Sequence, residues 1–151
     1  MNGLQQTVTK TVQRLQDLPL VVKLLLEGLV LSIIMVGLQL WFEGQLEGFM
    51  LYMQPIRLVI FGVLMFVIEP IALGAVNIVL INLMFGTRGW QVTFWLNGVF
   101  LLLVFTTVNI MLRTAFGWPS TIIMVFDVVL LSLPMGCLAR FSNGGWKKPI
   151  N

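Results

Sequence analysis

The chain has 151 residues, 58% of them hydrophobic and only 10% charged, where ordinary soluble domains carry about 25% charged residues. Its mean hydropathy is +0.98, and the apolar residues come in long unbroken runs, which excludes a water-soluble globular domain. The net charge of +3 lies in residues that flank those runs, so it points to membrane topology and away from nucleic acid.

The chain contains no histidine and one cysteine, Cys137. Bis-histidine haem ligation, imidazole–metal sites and a Ser-His-Asp triad are therefore excluded. Cys137 has no partner for an intrachain disulfide and reads as a small buried apolar residue. No glycine-rich phosphate loop and no C-x-x-C pattern is present. We expect no enzyme, no cofactor and no metal site.

Residues 1–20 are polar, rich in Gln and Thr, and do not resemble a cleaved signal peptide. Leu4, Val8, Val12 and Leu15 form a narrow apolar stripe, with Lys10 and Arg14 beside it. Two readings stand here: an amphipathic helix in the membrane plane, or a mobile tail.

A spanning helix needs about 20 apolar residues. Four runs meet that length in a membrane domain over 21–138: residues 21–42, 58–85, 92–112 and 120–138. Pro19 and Pro119 stand where helices start. The punctuated stretch from Trp41 to Tyr52 is expected along the outer interface, and residues 139–151 form a basic cytoplasmic tail. The expected fold class is all-α, an integral-membrane four-helix bundle.

Four spans put both termini on one side. Lys10, Arg14, Lys23, Arg88, Arg140, Lys147 and Lys148 then share that side, leaving Arg57 and Arg113 on the other. The positive-inside rule makes the shared side cytoplasmic. The expected location is a bacterial cytoplasmic (inner) membrane or an organellar equivalent. Trp41, Trp90, Trp95, Trp118 and Trp146 all fall near expected helix ends, where amphipathic rings prefer the headgroup zone.

The second run is too long for a straight crossing. As one helix it would reach ~42 Å at 1.5 Å per residue. It is expected as one span kinked at Pro70, the rival being a re-entrant pair broken at Glu69-Pro70.

Glu69 and Asp127 each stand inside an apolar run with no Lys or Arg. A charge at bilayer depth costs several kcal/mol, so each must be protonated, paired or facing a polar cavity. Short connections between consecutive spans would bring Glu69, Thr106, Asn109, Arg113 and Asp127 together in the outer half. That cluster reads as either a proton or cation relay or a structural hydrogen-bond network, with Glu69 capping a carbonyl freed by Pro70. Lys23 and Glu27, spaced i, i+4, read as a local ion pair. Asn77 and Asn82 read as interhelical hydrogen-bond donors.

Gly28-x-x-x-Ser32 and Ser132-x-x-x-Gly136 are small-residue pairs suited to close helix packing. The function expected first is a small accessory, assembly or scaffold subunit of a larger membrane complex. The alternative is a small oligomeric transporter or channel using intramembrane carboxylates for protons or cations. Expected partners are the lipid bilayer and other integral membrane proteins or further copies of the chain, with no nucleic acid.

Overall fold

A computed structural model describes residues 2–49, 54–86 and 94–143, without the side chains of residues 2, 42–49, 54, 55, 57, 58 and 61. The described elements are all helical: α1 (Asn2–Gln16), α2 (Leu20–Phe49), α3 (Gln54–Val63), a π-helical turn (Leu64–Ile68), α4 (Glu69–Phe85), α5 (Phe94–Phe116), α6 (Ser120–Val129) and α7 (Ser132–Ser142). Among the described residues, three stretches are long and apolar enough to cross a membrane: Leu20–Trp41, Leu64–Phe85 and Phe94–Phe116. α6 and α7 meet that test only as a pair bent by 60°. The expected anchors Trp90 and Trp146, the basic Arg88, Lys147 and Lys148, and the side chains of Glu43, Glu47 and Arg57 fall outside the description.

α1 is a helix whose Leu4 and Val8 are exposed. The hydroxyls of Thr7, Thr9 and Thr11 each donate to the carbonyl four residues earlier, at 2.9 Å. Such bonds satisfy a polar side chain within its own helix. The Gln16 amide donates to the Leu83 carbonyl at 3.4 Å, tying the end of α1 to the end of α4. α2 starts directly after Pro19 and continues to Phe49, so part of the stretch expected along the interface extends the helix instead.

Pro70 lacks the N–H that would bond four residues back. The chain absorbs this with the π turn, in which the Glu69 N–H reaches back five residues to the Leu64 carbonyl. The run expected over 58–85 is thus helical from Gln54 to Phe85, with its irregularity just before Pro70. α4 ends at Gly86 and α5 at Gly117, both at φ 63°, a left-handed conformation glycine adopts without strain.

The run expected as one helix over 120–138 is broken. Leu130 and Leu131 both donate to the Phe126 carbonyl, at 2.8 and 3.1 Å, and α7 begins at Ser132. Pro134 explains the break, because its missing N–H leaves Leu130 without an i+4 donor. The Ser132 hydroxyl covers the neighbouring Val129 carbonyl at 2.9 Å.

Two antiparallel helix pairs, α2 with α7 and α4 with α5, make the most extensive contacts. Both are fixed by glycines. A Cβ on Gly28 would overlap the Ser132 carbonyl, and one on Gly136 would overlap that of Leu24. In the other pair, a Cβ on Gly74 would overlap the Phe94 carbonyl, and one on Gly98 that of Pro70. Backbones approach this closely only where no side chain intervenes. Leu31, Met35, Leu73, Leu101, Leu102, Phe105, Met135 and Ala139 fill the apolar core between the pairs.

Candidate functional site

Glycine packing fixes which polar residues meet. Since Gly74 lies against Phe94, α5 starts eleven residues above Phe85 on α4, a shift of ~16 Å at 1.5 Å per residue. Pro70 opposite Gly98 puts Glu69 about level with Val99. Asn109 stands ten residues further along α5, ~15 Å away along the axis. The structure therefore does not bring Glu69 to Thr106, Asn109, Arg113 and Asp127, and the expected five-residue cluster is corrected to a smaller one. The error lies in assuming that a short connection sets two helices level.

Asp127, Asn109 and Arg113 do come together. Asp127 is 1% exposed on α6. Its carboxylate accepts a hydrogen bond from the Asn109 side chain and lies within electrostatic reach of Arg113. Asn109 also donates to the Phe105 carbonyl at 3.1 Å, one turn earlier. Arg113 is exposed and donates to the Ser120 hydroxyl at 3.3 Å across the α5–α6 turn. Thr106 is half-buried on the same face of α5 as Asn109.

Glu69 is fully buried, and neither carboxylate oxygen has a hydrogen-bond partner. It does not cap a carbonyl freed by Pro70, because the π turn re-routes the backbone hydrogen bonding there.

A second polar group lies at the α1 end, where sequence reasoning expected a local Lys23–Glu27 ion pair and interhelical donation by Asn77 and Asn82. Glu27 is 0% exposed, and both of its carboxylate oxygens lack a hydrogen-bond partner. Its charge couples to Arg140 of α7. Lys23 instead places its ammonium 5.5 Å from the centre of the Phe85 ring, and the Arg140 guanidinium lies 4.4 Å from the same ring. One aromatic ring thus engages both cations.

Next to Arg140, the Ala139 carbonyl gathers three donors: Asn77 at 3.4 Å, Ser142 at 2.9 Å and Asn143 at 3.2 Å. The Ser142 hydroxyl also meets Asn97 Oδ1. Asn77 Oδ1, Asn143 Oδ1 and Asn97 Nδ2 are buried without partners. Polar atoms left unpaired in a protein interior are uncommon, and they mark sites for water, ions or chemistry. Among the described residues, no three His, Cys, Asp or Glu side chains gather as a metal-binding group.

Ser32 and Ser132 are buried beside Gly28 and Gly136 at the α2–α7 contact. Sequence reasoning missed Gly74 and Gly98, since neither has a small residue four positions away. One signal was present: Glu27-Gly28 and Asn97-Gly98 are both polar–glycine steps inside apolar runs. Comparison with protein-family models, curated proteins and solved structures found no match to this chain.

Proposed function

We propose that the protein is a small membrane transporter or channel for protons or small cations, using carboxylates held inside a four-helix bundle. The fourth span is the bent α6–α7 pair, and both termini face the cytoplasm. The burial of Glu27, Glu69 and Asp127 carries this reading: they are 0%, 0% and 1% exposed. Four oxygens of the two glutamates have no donor. A carboxylate kept only for structure gains by being hydrogen-bonded, and one left bare in an apolar interior is costly. A carboxylate that docks a neighbouring membrane protein has to reach the lipid-facing surface, which these three do not.

The accessory-subunit reading draws support from a different feature. Trp118, Ile122, Val125, Phe126, Val129 and Leu130 line a shallow apolar groove along α6, a shape that fits another apolar helix. One experiment separates the two readings. Purified protein is reconstituted in liposomes, and flux is followed under imposed proton, sodium and potassium gradients. Transport predicts flux above protein-free vesicles for at least one of these ions. Folded protein that gives no flux, yet co-purifies with a larger membrane protein from native lipid, would overturn it.

A further inference from the structure

The two helix pairs are copies of one packing unit. Around Gly28, α2 buries Glu27, Leu31, Ser32 and Met35; around Gly98, α5 buries Asn97, Leu101, Leu102 and Phe105. The offsets from the glycine are the same in both. α4 and α7 share a second set: Leu73, Asn77 and Ile81 around Gly74, and Met135, Ala139 and Asn143 around Gly136. The glycine contacts repeat as well, each glycine meeting the carbonyl four residues before its partner glycine.

Chain order gives the repeating unit as a long helix followed by an interrupted one. α2 with α3–α4 forms the first copy, and α5 with α6–α7 the second. Each long helix packs on the interrupted helix of the other copy, so the copies embrace around a pseudo-two-fold axis. Asn77 and Ala139 hold equivalent positions, so the hydrogen bond between them crosses that axis.

Differences between the copies are then informative. The position before the long-helix glycine is Glu27 in one copy and Asn97 in the other. Asn97 meets the hydroxyl of Ser142, six residues after Gly136. The equivalent place, six residues after Gly74, is Leu80, packed on the apolar core. Symmetry thus offers Glu27 a methyl group where Asn97 receives a hydroxyl. Arg140, four residues after Gly136, has Ile78 as its counterpart. The site is one-sided: one copy supplies the carboxylate, and the other supplies the positive charge coupled to it.

We propose that this interface between the repeats is a proton-exchange site, in which Glu27 carries the proton, Arg140 balances the carboxylate, and Asn77, Asn97, Ser142 and Asn143 hold water leading to the α1 end. It rests on the transport reading above and names the transported ion. The positive charge coupled to Glu27 repels a metal cation but leaves proton transfer open. On release the Glu27 O–H bond breaks and the proton passes to a water held by the unpaired amide groups. Reloading is the reverse, and no electrons are exchanged. Lys23 stands one turn back on α2. Further along α2 stand Glu43 and Glu47, and the other charges on the packed helices are Arg57 on α3, Glu69 on α4, Arg113 at the far end of α5, and Asp127 on α6.

The test uses the full chain in liposomes loaded with a pH-sensitive dye, with proton entry driven by a potassium diffusion potential. Glu27→Gln lowers proton flux about a hundredfold, the scale expected when a positioned proton-transfer group is lost, while Gly37→Ala, whose Cβ meets open space on α2, retains most of it. Infrared spectroscopy supplies a second readout that needs no transport. The protonated-carboxyl absorption that titrates with pH keeps its Glu27 component in Asp127→Asn and loses it in Glu27→Gln. Folding of each variant is checked by circular dichroism and gel filtration.

Unchanged proton flux in folded Glu27→Gln, or a titrating carboxyl absorption identical to that of wild type, overturns the proposal. Wild-type flux of sodium or potassium without protons overturns it too, while leaving the transport reading intact. A Glu27 band that titrates in a protein with no flux supports the proton site and sinks transport.

Discussion

At the α1 end, Glu27, Arg140 and their neighbours Asn77, Asn97 and Asn143 come from four different helices. At the other end, Asp127, Asn109, Arg113 and Ser120 all come from the single α5–α6 connection. Only the second group follows from local chain geometry. The first depends on helices brought into register by glycine contacts between α2 and α7 and between α4 and α5. A perturbation of that register should therefore scatter the Glu27 group and leave the Asp127 group assembled.

The largest effect is expected from filling a glycine contact. Gly28→Leu would drive a side chain into the Ser132 backbone, which cannot give way as a flexible side chain would. We expect a loss of about 3 kcal/mol or more, read as a lower unfolding midpoint in detergent. Gly98→Leu should act alike, through Pro70. Tolerance of either substitution would break the register argument.

A smaller effect is expected at the other end. Asp127→Asn keeps a carbonyl that accepts from Asn109, and Arg113 retains Ser120. Chemical denaturation should show a loss of about 1 kcal/mol, the scale of one hydrogen bond. A loss matching that of Gly28→Leu would show that the two ends do not differ as described.

The smallest effect has the opposite sign. Gly37 lies within α2 with open space where a Cβ would stand. Gly37→Ala should stabilise by about 0.5–1 kcal/mol through reduced backbone entropy of the unfolded chain. A destabilising result in the same assay would mean that α2 packs closely there.

Much of the fold was legible because long apolar runs fix where helices form, and prolines and glycines fix where they stop. The meeting of Asn109, Arg113 and Asp127 was legible for a related reason: a short turn leaves two helices little freedom at that end. The placement of Glu69 was not, because the connection between α4 and α5 permits a shift of many residues and only Gly74 and Gly98 set it. The break between α6 and α7 had a visible cause in Pro134, three residues past Leu131. It was obscured by the unbroken apolar character of the run. Glu27 misled most, because Lys23 stands at helical spacing on the same face, and a sequence does not show that Phe85 engages Lys23 while Arg140 arrives from α7.

That last contrast offers the most direct test. Two double-mutant cycles in one detergent unfolding assay would couple Glu27→Gln first with Arg140→Gln and then with Lys23→Gln. The account predicts a coupling energy of about 1–3 kcal/mol for Glu27 with Arg140, within the range measured for interacting neighbours, and near zero for Glu27 with Lys23. Strong coupling to Lys23 with none to Arg140 would contradict it.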